Sequence, residues 1–402
     1  MSNRDDFLRV VRGERPERVP CIDYGFWDER AMHKLAPADS WDENTMCFPQ
    51  DDPPRDGYSA DPRTAESRER AIRMARHLDS ATIGVGKGAV LDFGHGGPGE
   101  IQPRVIERAA EHTVLLYEGG HKRTVHFHPH SLRYHDFPVR SEADLDRLEL
   151  PDMRDPARFS DVGEDARAFK AAGFVPTGAI QGFFAGIHNS FMDFSDSLAN
   201  LLAEPAFMLR LTERLARMSL DAVQSYLERG VEVITICDDL GNAGGLLISP
   251  GLFRRFFLPW YEELVRMVHA QGCVLHLHSH GNIAAVLPDL AAVGIDIINP
   301  FDWSENPDLP NLVRKFGDRV VFCGGSVPDL SPCTLEEVSR ITRRACGLAR
   351  IAARGYMFMG NPGMEHLSRA TWLAWRRIFI REREEAGRPP APYASLMISN
   401  QT

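Results

Sequence analysis

From Phe174 onward, short apolar β-prone runs alternate with amphipathic helical segments, and this alternation restricts the chain to a parallel α/β architecture. The spacing predicts strands at Phe174–Ile180, Val231–Ile236, Val274–His278, Ile295–Ile298, Arg319–Cys323 and Tyr356–Met359. Helices fill the gaps between them. Pro205 suits the first turn of one that runs to about Glu228 and stops at Gly230. Pro250-Gly251 opens a second carrying Phe253, Phe256, Phe257, Tyr261 and Leu264. Thr334-Leu335-Glu336-Glu337 is a capping box that starts a third, through Arg350. Six such repeats over about 190 residues, with more chain ahead of them, predict a (β/α)8 TIM barrel. A doubly wound open sheet is the alternative. No Gly-x-Gly-x-x-Gly follows any of these strands, which counts against dinucleotide binding.

Upstream the pattern weakens. Residues 1–75 are irregular and rich in Pro, Asp and Arg, with 51–56 an obvious loop, so an irregular N-terminal extension is expected ahead of a barrel over 76–402. A β-rich insertion is expected near 100–140. Within it Thr124–His130 alternates polar and apolar like a half-exposed hairpin strand, and Pro129 demotes that strand to an edge. The histidines at 126, 128 and 130 then read as surface decoration. The whole chain, 1–402, is expected to be a single domain, because α/β barrels often run long.

Charge and cysteine usage narrow the function classes. Forty-six basic against 56 acidic residues give a net charge of −10, which argues against nucleic acid or an anionic membrane as the main partner. Apolar runs such as Val231–Cys237 are far too short to span a bilayer. The N-terminus lacks the basic-then-apolar order of a signal peptide. Seven scattered cysteines without a C-x-x-C pair fit a reducing compartment, so a cytoplasmic location is expected.

In a parallel barrel the residues just after each strand converge on one site. Here the strand ends read Gln181-Gly182-Phe183, Cys237-Asp238-Asp239, Ser279-His280-Gly281-Asn282, Pro300-Phe301-Asp302, Gly324-Gly325-Ser326 and Gly360-Asn361-Pro362-Gly363. His276, His278 and His280 alternate, so all three share one strand face, and two imidazoles from His-x-His can bind one borderline metal such as zinc. A hydrogen-bonded histidine cluster without metal is the plainer reading. Asp238 and Asp239 end the neighbouring strand; one can serve as a base, a ligand or an orienter of histidine, the other as a helix cap. Strand alternation lets only one of the two face the barrel axis, and Asp239 is favoured.

The runs Cys237-Asp238-Asp239-Leu240-Gly241, Leu247-Ile248-Ser249-Pro250, Leu275–Gly281, Gly294–Pro300 and Phe322–Gly325 resemble the uroporphyrinogen decarboxylase superfamily, as do Arg18-Val19-Pro20 and Pro138–Asp144. The resemblance implies a (β/α)8 barrel and one of two chemistries. True decarboxylases of that superfamily carry an N-terminal Arg-Gln-Ala-Gly-Arg motif for the porphyrinogen carboxylates, where this chain has Ile22–Arg30 without that arginine pair. They also carry a late His-Gly-Met, where this chain reads Pro362-Gly363-Met364. Leaving an octacarboxylate unpaired in a cleft is expensive, which disfavours that activity. The zinc methyltransferase branch uses His-x-Cys and a later cysteine; His278-Ser279-His280 keeps the first histidine and replaces the thiolate, and the later cysteine is absent.

A harder donor set of two imidazoles and carboxylates suits activation of water or of a substrate oxygen, as in demethylation of a methyl ether. The resemblance therefore implies a metal-assisted methyltransferase acting on a small substrate, with His278, His280 and Glu365 as metal ligands and Asp239, Asp238 and Asp302 as catalytic carboxylates. The methyl group would pass to a corrinoid protein or a related acceptor, and a homodimer is a further expectation. A decarboxylase-like lyase on a small acid and a non-catalytic ligand-binding barrel are the alternatives. Tyr24, Phe26 and Trp27 are read as lining the pocket mouth or packing in the core. Cys323 is read as a core residue.

Overall fold

Alternating side chains explain how the barrel is built, since each strand sends one set of residues to the axis and the other to the surrounding helices. The computed structural model describes residues 2–22, 64–86, 104–127, 130–324, 333–359 and 369–387. In chain order its strands are β1 (Cys21–Ile22), β2 (Thr82–Gly84), β3 (Arg104–Arg108), β4 (His112–Leu116), β5 (Lys122–Phe127), β6 (His130–His135), β7 (Val175–Gln181), β8 (Val233–Cys237), β9 (Gly241–Asn242), β10 (Gly245–Leu246), β11 (Val274–His278), β12 (Ile297–Phe301), β13 (Val321–Gly324) and β14 (Tyr356–Met359). Eight of them form one sheet in the order β1-β14-β13-β12-β11-β8-β7-β2, every pairing parallel. The Ala81 N–H donates to the Cys21 carbonyl at 2.7 Å, which ties the two ends together. The fold is a (β/α)8 TIM barrel.

One inward layer at the strand starts is apolar: Val175, Val233, Val274, Ile297 and Val321 pack with Phe7 and Val10. Those last two come from the helix Asn3–Val11, which plugs the N-terminal mouth and is started by a Ser2/Asp5 capping box. The alternate residues of each strand, such as Ile180, Ile234, Leu275, Ile298 and Phe322, face the helices and join the larger core. Two inward steps up from the plug the layer turns polar, with Thr235, His276 and Asn299 all buried. The barrel interior is therefore apolar at the bottom and hydrogen-bonding toward the C-terminal rim.

The N-terminal segment departs from the irregular extension expected for residues 1–75. It supplies the plugging helix, β1 of the barrel and the helix Ala65–Leu78. The barrel strands β1 and β2 are two and three residues long, too short for periodicity to reveal. The insertion is a four-stranded antiparallel sheet in the order β3-β4-β5-β6. β5 pairs on both sides, so the expected edge strand is an interior one. Residues 128–129 lie outside the described residues. The aromatic helix also divides. It runs Pro250–Phe256 and Leu258–Ala270, because Pro259 sits in the first turn of the second piece and lacks the N–H to continue the first. The Pro205–Glu228 helix and the Thr334 capping box form as expected. No helix among the described residues is long and apolar enough to cross a membrane.

Candidate active site at the strand ends

Inward positions of β8, β11 and β12 deliver the site. The parallel register sets His276 beside Thr235 and His278 beside Asn299. Exposure grows toward the rim: His276 is buried, the His278 side chain is 20% exposed and that of His280, past the strand end, 48%. The three histidines thus share one face, as alternation requires. His278 and His280 stand with ring centroids 4.9 Å apart and planes at 86°.

Each rim imidazole is held at Nδ1 by an oxygen. His278 Nδ1 lies 3.1 Å from Asn299 Oδ1, and His280 Nδ1 lies 3.1 Å from Glu305 Oε1. An oxygen acceptor at Nδ1 puts the ring's lone pair on Nε2, the usual arrangement behind a ligating or proton-accepting histidine. The two grips differ in charge. Burial drives His278 down to about 4, with His280 adding to the effect and Asp239 opposing it, so it is a neutral ring at neutral pH. The Glu305 hydrogen bond raises His280 above the ordinary imidazole value. Burial pushes Glu305 up, yet the bond from His280 and its charge hold it below the usual carboxylate range.

Asp239 lies at the rim beside His278 and His280. Its Oδ1 accepts the His280 backbone N–H at 2.9 Å and stands 4.0 Å from His278 Nε2. With His278 neutral, that second approach is a contact between a carboxylate and a ring nitrogen, not an ion pair. Asp238 behaves otherwise. It is neither a surface residue nor a helix cap, because outward from a barrel strand means into the strand–helix layer. Its carboxylate is fully buried and accepts the Phe184 N–H at 3.1 Å, the Ala185 N–H at 2.7 Å and the Tyr261 hydroxyl at 2.7 Å. Burial pushes it up to about 6 against the pull of these donors. It clamps the loop after β7 instead of facing the rim. Gly182 permits this, since a methyl there would overlap Asp238.

Asp302 is also taken up locally. Its Oδ1 accepts from the Ser304 N–H at 3.0 Å and the Ser304 hydroxyl at 2.5 Å, which shapes the turn that presents Glu305. Cys323 is buried in the apolar bottom layer, as expected. Glu365, the aromatic trio at 24, 26 and 27, and the strand-end residues 325–326 and 360–363 lie outside the described residues. Sequence reasoning missed Asn299 and Glu305. Asn299 sits two residues into β12, within the Gly294–Pro300 run read only for its family resemblance, while Glu305 lies three residues beyond the strand-end tripeptide Pro300-Phe301-Asp302. It also missed His188, which an unusual π-helical turn, Ile187–Phe191, holds with Phe184 and Phe194 rings 5.0 Å away on either side.

The sequence signature of uroporphyrinogen decarboxylase matches residues 121–366, more than half of the chain. The chain belongs to that family. A uroporphyrinogen decarboxylase of Alkalilimnicola ehrlichii is 28% identical over 212 residues, 50% of this chain and 54% of that protein. One from Xanthomonas euvesicatoria pv. vesicatoria is 29% identical over 210 residues, 49% of this chain and 55% of that protein. The chain thus spans about half the length of the curated relatives it matches. A methyltransferase from Methanosarcina mazei shares the fold, with a TM-score of 0.62 at 14% identity, covering 96% of this chain and 99% of that one. The uroporphyrinogen decarboxylase family is one of enzymes.

Proposed function

We propose that this family member is a metal-assisted methyltransferase that demethylates a small substrate and passes the methyl group to a corrinoid protein or a related acceptor. The observation that carries the reading is the matched grip on His278 and His280, each anchored at Nδ1 by an oxygen so that Nε2 is the outward donor. The donor set suits a divalent ion such as zinc in its chemistry. Among the described residues no three His, Cys, Asp or Glu side chains are grouped closely enough to hold one by themselves. Asp239 Oδ1 would have to close its 4.0 Å gap to His278 Nε2 by under about 1 Å to share a tetrahedral ion with it. Bound there, the metal would supply Lewis acidity to the heteroatom that leaves the methyl group. Within the chain, neutral His278 and Asp239 orient the departing group, and the His280–Glu305 pair holds a proton beside it.

Substituting alanine for both His278 and His280 should abolish bound zinc, measured by elemental analysis, while the circular dichroism spectrum stays unchanged. Full metal occupancy in the double variant would sink the reading. A second reading, a lyase acting on a small acid, is favoured by the names of the curated relatives. Against a porphyrinogen stand the absent N-terminal arginine pair and the absent late histidine of the decarboxylase pattern.

A further inference from the structure

We infer that Asn299 is the positioning residue of this rim: its side-chain oxygen fixes His278 as the Nδ1–H tautomer and so turns Nε2 toward Asp239. The inference deepens the methyltransferase reading and rests on it for what Nε2 then does, though not for the tautomer itself.

Four side chains on three adjacent strands form one hydrogen-bonded chain. Thr235 Oγ1 is 3.2 Å from His276 Nδ1, His276 Nε2 is 3.0 Å from Asn299 Oδ1, and the same oxygen is 3.1 Å from His278 Nδ1. Thr235, His276 and Asn299 are buried, so their polar groups depend on one another more than groups in water would. An amide oxygen has two lone pairs and no proton. Both ring nitrogens that face it must therefore carry hydrogens. His276 is then neutral with Nε2–H, and its Nδ1 accepts the Thr235 hydroxyl. His278 is neutral with Nδ1–H, and its Nε2 lone pair lies on the side of Asp239 Oδ1, 4.0 Å away. One amide thus sets two tautomers together. If the Asn299 amide were turned over, its NH2 would donate to both rings, and Nε2 of His278 would carry the proton and be closed as a ligand or a base. Glu305 does for His280 what Asn299 does for His278, but with a charge, so only the Asn299 side keeps its ring neutral.

The test is nitrogen-15 NMR on metal-free protein with labelled histidine, where long-range proton–nitrogen correlations distinguish Nδ1–H from Nε2–H rings. A His278→Gln variant assigns the signal. Nδ1–H at His278 and Nε2–H at His276 are expected. Asn299→Ala should release His278 into a mixture of tautomers and weaken zinc binding about 10- to 100-fold by calorimetry, and Asn299→Asp, which keeps an acceptor oxygen, should restore the tautomer. An Nε2–H ring at His278 in the wild-type protein overturns the inference, and so does an unchanged tautomer in Asn299→Ala. Should that variant fail to fold, the wild-type spectrum decides alone. Nδ1–H at His278 without zinc binding would sink the metal reading and leave the positioning role standing; zinc binding to a protein whose metal-free His278 is Nε2–H would do the reverse.

Discussion

Asp238→Asn separates a buried clamp from a surface cap, because only the clamp predicts a stability difference that changes with pH. Asn keeps the size of Asp238, and its amide oxygen can still accept the Phe184 and Ala185 N–H groups, but the Tyr261 hydroxyl loses its carboxylate acceptor. A buried hydroxyl left without an acceptor costs about 1–3 kcal/mol. That penalty holds at every pH. The wild-type residue adds a pH-dependent part, because burial raises its carboxyl from 3.8 to about 6. The folded state therefore holds this proton more tightly than the unfolded chain. The stability that results is full below pH 4 and is lost as pH rises through 6, about 3 kcal/mol in total. Urea unfolding of both proteins between pH 4.5 and 7.5 should then show Asp238→Asn the less stable at the acid end. The gap should narrow and close, or reverse, toward pH 7.5, while titrations common to both proteins cancel in the difference. A gap of under about 1 kcal/mol that stays constant with pH is what an exposed cap would give, and it would refute the buried clamp.

Further outcomes follow from the same geometry. Gly281→Ala places a methyl at φ +94°, against the Gly241 backbone, and should lower stability by about 1–3 kcal/mol or more in urea unfolding. Glu305→Gln removes the main cause of the raised His280 pKa, so the His280 titration followed by NMR should move to lower pH. Arg383→Ala strips a buried guanidinium from Asp79, 2.7 Å away, and should cost about 3–5 kcal/mol, seen as a lower urea midpoint. Uroporphyrinogen offered to the purified protein should not be turned over; turnover near the enzyme median of about 10 per second would overturn the methyltransferase reading.

The barrel was legible wherever a strand was long enough to show its period. Val274–His278 and Tyr356–Met359 were located to the residue, and the other four predicted strands to within two or three. β1 and β2 escaped because their two or three residues take their register from β14 and β7, a tertiary constraint that no local pattern carries. The interior position of β5 escaped for a related reason, since pairing on both sides depends on the next strand and not on its own composition. Among site residues, alternation sufficed for His276, His278, His280 and Asp239, which lie on one inward-facing set.

Asp238 and Asp302 show where residue type stops being informative. Both are acids at barrel strand ends, and both are spent on backbone or hydroxyl donors in the loops they shape. Their neighbours Asp239 and Glu305 meet the imidazoles instead. The difference is one of direction. On β8 the residues that precede the pair alternate inward and outward, with Thr235 against His276 and Ile236 in the helix-facing core, so Asp238 must face the helices and Asp239 the axis. In an open antiparallel sheet the outward residue would meet water and a carboxylate there would cost nothing. In a barrel jacketed by helices it meets Tyr261, and the chain needs a buried donor set to hold it. The clamp then fixes the loop that carries Phe184 and His188. The residue that looked like a spare catalytic acid thus holds the loop after β7, so loss of activity in an Asp238 variant should be accompanied by a shift in the Phe184 and Ala185 backbone amide resonances, whereas loss in an Asp239 variant should leave those amides in place.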